Sequence, residues 1–315
     1  MRGAQTRLAA ALAGLLAAVT LIAGVTACAH PGPRTTRPAR TVPSPLYGVT
    51  VDDVTELGPI TASLRHLPVR PTTRIYLDVK RPPAYYAAAV RALRPVSYVM
   101  GELLDSSDET HISVRAYDAR VKSYLAAFRD KIDIWEIGNE VNGNWTGPYP
   151  TVRAKLVTAY RDVAGAGKPT ALTLYYNIGC GDGPAELDPV GFSRRYVPRA
   201  VRDGLDYVLL SYYEDSCGGV RPSAAAWTAY FQRLHTLYPH ALLGFGEIGI
   251  TDPVTARTLG PAESLARHYY GLTVKLPYYI GGYFWWYYAE DYSCRPMWRA
   301  LRQGFQAEAS NRRRR

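Results

Sequence analysis

Acidic residues are missing from both flanks of this chain. Residues 1–40 and 312–315 hold Arg2, Arg7, Arg34, Arg37, Arg40 and Arg312 to Arg315, with no Asp or Glu among them. Setting those nine arginines aside leaves 28 of the 37 basic residues against 27 acidic ones, so the remainder is close to neutral. The charge excess therefore sits in the flanks, and with no nucleic-acid motif beside it, it argues against a nucleic-acid-binding domain. Cysteine is scarce, four in 315 residues, and the spacing of Cys28, Cys180, Cys217 and Cys294 does not match a zinc site. No Gly-rich turn follows the first apolar stretch, Tyr47-Gly48-Val49-Thr50-Val51-Asp52, which argues against an open dinucleotide-binding sheet. No short-period repeat is evident, and no second domain is expected between the proline-rich stretch and the basic tail.

What is present begins with a basic head and a long apolar run, Leu8 to Ala27. This reads as a secretory signal over residues 1–27. Val25-Thr26-Ala27-Cys28 resembles a bacterial lipobox, which implies that Cys28 is lipidated and becomes the new N-terminus. An uncleaved membrane anchor is the alternative, because the run is about long enough to cross a bilayer. Either reading expects an extracytoplasmic protein, attached to the membrane or secreted. Residues 28–45 are expected to be a tether, since Pro31, Pro33, Pro38, Pro43 and Pro45 favour extended chain. Residues 309–315 are read as a basic tail that touches anionic lipid or cell-wall polymer, or nothing specific. In an oxidising compartment two cysteines can pair; Cys180 and Cys217 each follow a strand of successive units, so that bridge is favoured, with Cys217–Cys294 as the alternative.

Between residues 46 and 308 apolar strands and amphipathic helices alternate. The strands are read at 46–51, 74–79, 96–103, 132–140, 171–176, 207–213, 241–247 and 279–287. The helices after them are read near 52–64, 84–93, 114–128, 151–164, 191–202, 224–237, 261–275 and 297–307. Eight such units in this length predict an α/β fold, a single-domain (β/α)8 TIM barrel. Chemistry in that fold sits where the strands end. The fourth strand ends in Asn139-Glu140 and the seventh carries Glu247; a carboxylate at the tip of a buried strand is held there against the cost of desolvation. Two carboxylic acids on one rim suit glycosidic hydrolysis, and flat rings beside polar groups suit sugars. Candidate substrate contacts are therefore Asn139, Trp145, Tyr176, Asn177, Tyr212, Tyr213, Trp285 and Trp286. Asp78, Lys80 and Glu102 read equally as binding groups or solvated loop residues. Glu136 is expected to point into the barrel and to need a buried partner, with Arg74 suggested.

Trp135-Glu136-Ile137-Gly138-Asn139-Glu140 on strand four, Gly246-Glu247 on strand seven and a Trp ending strand eight resemble clan A of the glycoside hydrolases. The resemblance covers nearly all of residues 46 to 308. It implies a retaining enzyme on a TIM barrel, with Glu140 as general acid/base, Glu247 as nucleophile and Asn139 as donor to the sugar's 2-hydroxyl. It further implies that Tyr212 or Tyr213 touches the nucleophile and that Trp285 or Trp286 floors the subsite. Clan A members hold an Arg late on strand two, whereas Arg74 comes early in the 74–79 strand. The loop from Glu140 to Trp145 also resembles family 26, many of whose members are β-mannanases; those carry His where this chain has Asn139, so mannan specificity is not carried over. The expected function is retaining hydrolysis of a β-linked glycan by a monomer that uses no metal or cofactor. Short loops suggest an open cleft on a polysaccharide. The rivals are an inactive carbohydrate-binding lipoprotein on the same barrel and a cell-surface interaction protein.

Overall fold

The computed structural model describes residues 43–181 and 186–313. The expected signal segment, Cys28 and all of the tether before Pro43 lie outside the described residues, as do the last two arginines.

The elements follow the order β1 (Leu46–Val51), α1 (Leu57–Arg65), β2 (Thr72–Tyr76), α2 (Ala87–Leu93), β3 (Tyr98–Glu102), α3 (Val114–Phe128), β4 (Ile134–Glu136) and α4 (Tyr149–Gly165). The chain continues through β5 (Thr170–Tyr175), α5 (Pro189–Tyr196), α6 (Arg199–Arg202), β6 (Tyr207–Tyr212), α7 (Ala224–His235), β7 (Leu242–Ile248), α8 (Leu259–Tyr270), β8 (Tyr279–Trp285), α9 (Tyr288–Asp291) and α10 (Arg295–Arg313). The strands close in sequence order, all parallel, into a (β/α)8 barrel.

Local chemistry sets several boundaries. Ser113, Asp188 and Ser223 cap α3, α5 and α7 by accepting from the backbone N–H three residues on, which satisfies a donor the first turn leaves free. The helix expected over 191–202 is two helices, because Pro198 lacks an N–H and forces Val197 out of helical geometry. The strand expected over 132–140 pairs on both sides only around Trp135 and Glu136. Backbone bonds from Ile137 to Ala171 and from Thr173 to Gly138 carry it slightly further, and then the chain turns. At the other end α10 runs past residue 308 to Arg313, and Arg312 pairs with the buried Glu308 at 3.0 Å. Arg312 therefore belongs to the barrel rather than to a tail.

The barrel interior is layered. Leu46, Met100, Ile134, Ala171, Leu209, Ile280 and Phe284 fill its base. Two residues further along the strands the inward positions become polar: Glu102 after Met100, Glu136 after Ile134, Thr173 after Ala171, Ser211 after Leu209. Period two puts these on the same face as the residues below them. The other parity faces the helices, where Trp227, Phe231, Phe245 and Tyr269 pack edge to face. Each such buried ring contributes roughly 1.5–3 kcal/mol.

Candidate active site

β7 reaches the polar layer through an irregularity. Leu210 pairs with Phe245 and Ser211 with Glu247, so Gly246 is an extra residue on β7, a β-bulge. Phe245 faces the helices, and simple alternation would send Glu247 after it. The bulge returns Glu247 to the interior. Gly246 is required there: a Cβ would lie 2.5 Å from Thr173 Oγ1 and 2.9 Å from Leu209 Cβ.

Arg74 stands in the middle of β2, since the strand is Thr72–Tyr76 and not the later stretch read from the sequence. It is fully buried. Its Nη2 donates to Glu247 Oε2 at 2.7 Å, its Nη1 to the Gly246 carbonyl at 2.7 Å and its Nε to Glu102 Oε2 at 2.9 Å. Glu136 Oε2 lies 3.1 Å from the same Nε, which bears out the expected partnership of Glu136 and Arg74. Glu102 is thus no solvated loop residue; Asp78 and Lys80 do lie on an exposed turn, joined through the Lys80 N–H. One guanidinium meets three buried carboxyls, and among the described residues Glu102 Oε1 and Glu136 Oε2 have no hydrogen-bond partner. Protonation resolves the imbalance. Burial holds the Glu102 carboxyl well above the usual range, and burial pushes Glu136 up to about 7 against the pull of Arg74.

Glu247 is served by three donors. Besides Arg74, Asn139 Nδ2 donates to Oε2 at 3.2 Å and the Tyr213 hydroxyl to Oε1 at 2.6 Å. The Ser106 N–H donates to Asn139 Oδ1 at 3.2 Å, which fixes the amide with its NH2 toward Glu247. These donors fix both carboxyl oxygens of Glu247 in place.

Glu140 has a different setting. Its φ is +45°, the left-handed region, which costs about 1–2 kcal/mol for a residue with a Cβ. That turn swings the carboxyl back over the barrel mouth, where Oε2 accepts from Ser106 Oγ at 3.0 Å and Oε1 from Ser211 Oγ. Among the described residues its donors are these two neutral hydroxyls. Burial, then the nearby Glu247 charge, push its pKa up to about 8. Ser106 is held by a buried ion pair: Lys155 on α4 grips Glu109 Oε2 at 2.6 Å and so fixes the Ser106–His111 turn.

Above the carboxyls a cavity of about 380 Å³ opens, lined by Glu140, Trp145, Tyr175, Tyr213, Trp286 and Tyr287 among others. The Trp145 indole lies over Gly143, where any Cβ would sit 2.6 Å from the ring, and meets Tyr175 edge to face at 5.1 Å. Trp286 stacks on the Arg74 guanidinium at 5.1 Å. The Cys180–Cys217 disulfide, the favoured pairing, ties the loops after β5 and β6 at the cavity wall, and Cys294 is free.

Four of the sequence candidates lie elsewhere. Tyr212 is buried against Trp227 and Tyr269 and donates to the Val220 carbonyl at 2.5 Å. Tyr176 packs on Trp227 and Tyr230, and Trp285 is buried with its indole N–H on Asp291. Asn177 is buried outside the cavity lining, its Nδ2 3.5 Å from the Leu187 carbonyl. Strand parity is the reason for three of them: Tyr213, Tyr175 and Trp286 continue the inward series, and their neighbours Tyr212, Tyr176 and Trp285 turn to the helices; Asn177 shares the parity of Tyr175 but lies beyond the end of β5. Ser106, Ser211, Tyr175 and Tyr287 were missed by sequence reasoning. Parity counted from Leu209 and Ala171 would have found Ser211 and Tyr175.

The fold has many solved counterparts. The chain is similar to a GH10 xylanase from Bispora sp. MEY-1 with xylobiose, at 13% identity over 83% of this chain and 97% of that one, TM-score 0.57. It is similar to a GH5-4 broad specificity endoglucanase from an uncultured bacterium, at 13% identity over 81% and 85%, TM-score 0.56. A plant β-glucan endohydrolase matches at 16% identity over 76% and 90%, TM-score 0.50. At these identities the likeness is one of fold, a (β/α)8 barrel. No family model and no curated protein matches the chain.

Proposed function

We propose that the protein is a retaining glycoside hydrolase acting on a β-linked glycan, with Glu247 as nucleophile and Glu140 as general acid/base. The observation that carries this reading is the contrast between two carboxyls over one cavity. Glu247 accepts from an arginine, an amide and a phenol, whereas Glu140, among the described residues, accepts from serine hydroxyls and has a pKa of about 8. A carboxyl whose pKa is pushed up to about 8 keeps its proton at neutral pH and can serve as the acid.

Glu247 would attack the anomeric carbon while the protonated Glu140 gives its proton to the departing oxygen, so that the carboxylate–carbon bond forms as the glycosidic bond breaks. In the second step Glu140 takes a proton from water, whose oxygen displaces Glu247 and restores both groups. Asn139, already aimed at the nucleophile, would donate to the sugar's 2-hydroxyl. Trp286, Trp145 and Tyr175 supply flat faces for the ring and its neighbours. The names of the fold neighbours, xylanase and endoglucanase among them, support a β-glycan, and the short loops support an open cleft acting within a polymer. The disulfide and the sequence of residues 1–28 support an extracytoplasmic protein, with the signal removed and Cys28 lipidated.

The test is incubation of the protein with β-glucans, mannans, xylans and aryl glycosides, beside Glu140→Ala and Glu247→Ala. Turnover lost in both variants, with proton NMR showing a first product of retained configuration, is the expected result. Binding without turnover by the unaltered protein would instead make it a carbohydrate-binding lipoprotein.

A further inference from the structure

The end of the barrel opposite the cavity is chemically distinctive on one side. Two adjoining grooves of about 530 and 370 Å³ lie there, between the end of α10 and the loops that lead into β2 and β3, and share Val69. Arg65, Arg70, Arg302 and Arg313 line them, and no Asp or Glu does. Among the described residues none of these four arginines is in an ion pair, and all are exposed. Arg70 is nonetheless held in place: its Nη2 donates to the carbonyls of Arg94 and Ser97 at 2.8 and 2.9 Å, and its guanidinium lies 4.7 Å over the Tyr98 ring. Pro68, Val69 and Pro95 stand between the charges. Arginines on an apolar base match phosphates set above acyl chain.

The chain also enters the fold at this end. The Pro43 carbonyl accepts from the hydroxyl of Tyr207, the first residue of β6, at 2.7 Å. The sequence before it contains the apolar run Leu8–Ala27 and five arginines, three of them after that run, and the sequence after Arg313 adds two more.

We infer that this basic base is a docking surface for the phosphate headgroups of an anionic bilayer, which seats the barrel with its cavity facing away from the membrane. Each arginine brought to such a surface contributes about a fivefold gain in partition.

The experiment uses the full chain with phosphatidylcholine vesicles, with and without phosphatidylglycerol, and reads partition and hydrogen exchange. Arg65 and Arg313 make no hydrogen bond or ion pair among the described residues, so Arg65→Gln with Arg313→Gln removes charge without disturbing the fold. We expect that double variant to lose at least tenfold in partition on the phosphatidylglycerol vesicles and nothing on phosphatidylcholine. The paired Arg→Lys variant should retain most of the binding. Exchange should slow in residues 66–71 and 302–313 only when the anionic lipid is present. Equal partition of unaltered and Gln proteins, or slowing confined to the loops around the cavity, would overturn the inference. So would equal slowing by soluble polyglycerol phosphate, which would assign the surface to a wall polymer.

Discussion

The Ser211 hydroxyl donates to Glu140 from the position directly opposite Glu247 in the β6–β7 ladder. One serine thus ties the two carboxyls to a single point on the rim. The bond favours ionised Glu140, so Ser211→Ala should raise the pKa of Glu140. The alkaline limb of kcat/KM, set by Glu140 losing its proton near pH 8, should move up by about one unit. A pH–rate profile measures this, and loss of stability with an unmoved limb would make Ser211 merely structural.

Tyr213 and its neighbour Tyr212 should separate function from packing. Tyr213→Phe removes a donor to Glu247, and kcat should fall about 10- to 100-fold with little change in melting temperature. Tyr212→Phe loses only the bond to the Val220 carbonyl; it should cost about 1 kcal/mol of stability and leave kcat/KM unchanged.

Removing Arg74 strands three buried carboxyls. Arg74→Met should lower stability at neutral pH by about 3–5 kcal/mol, with part of the loss recovered at pH 5, where the carboxyls take up protons. Urea titrations at the two pH values decide the matter.

Glu102, Glu136 and Glu140 all have folded pKa values raised above the unfolded range of about 4.3. The folded chain holds protons that the unfolded chain releases, so their contribution is complete below that range and is lost as pH rises toward about 8. Glu102→Gln replaces one such carboxyl by a neutral group of the same shape. Its melting temperature should therefore fall less steeply between pH 5 and pH 8, by on the order of 2–4 °C, in calorimetric scans.

The disulfide closes a loop with a sequence separation of 37, which corresponds to about 4 kcal/mol in the chain-entropy account. Cys180→Ser with Cys217→Ser should lose stability of that order. Because Cys180 borders the cavity, KM should rise more than kcat falls.

Much of this was legible in the sequence. Eight strand–helix alternations gave the barrel, Asn139-Glu140 and Glu247 marked its rim, and the position of two cysteines after successive strands gave their pairing. What escaped depended on register. Period two orders residues within a strand but does not say which parity faces inward, so Tyr212 and Tyr213 stood as equals until Leu209 was seen in the barrel base. The bulge at Gly246 resets parity within β7 and leaves no mark in the hydrophobic pattern. Ser106 lies on a loop, and its approach to Glu140 depends on the Lys155–Glu109 pair, which brings together residues distant in the chain.

The apolar plug of Met100, Ile134, Leu209 and Phe284 seals the barrel from below. Whatever enters or leaves the two glutamates must therefore pass the doorway at the strand-end side. Under double displacement, the first fragment has to clear that doorway before water can reach the glycosyl ester. A second sugar waiting outside would compete with water for the same path, so high glycan concentrations should divert the intermediate into longer oligosaccharides.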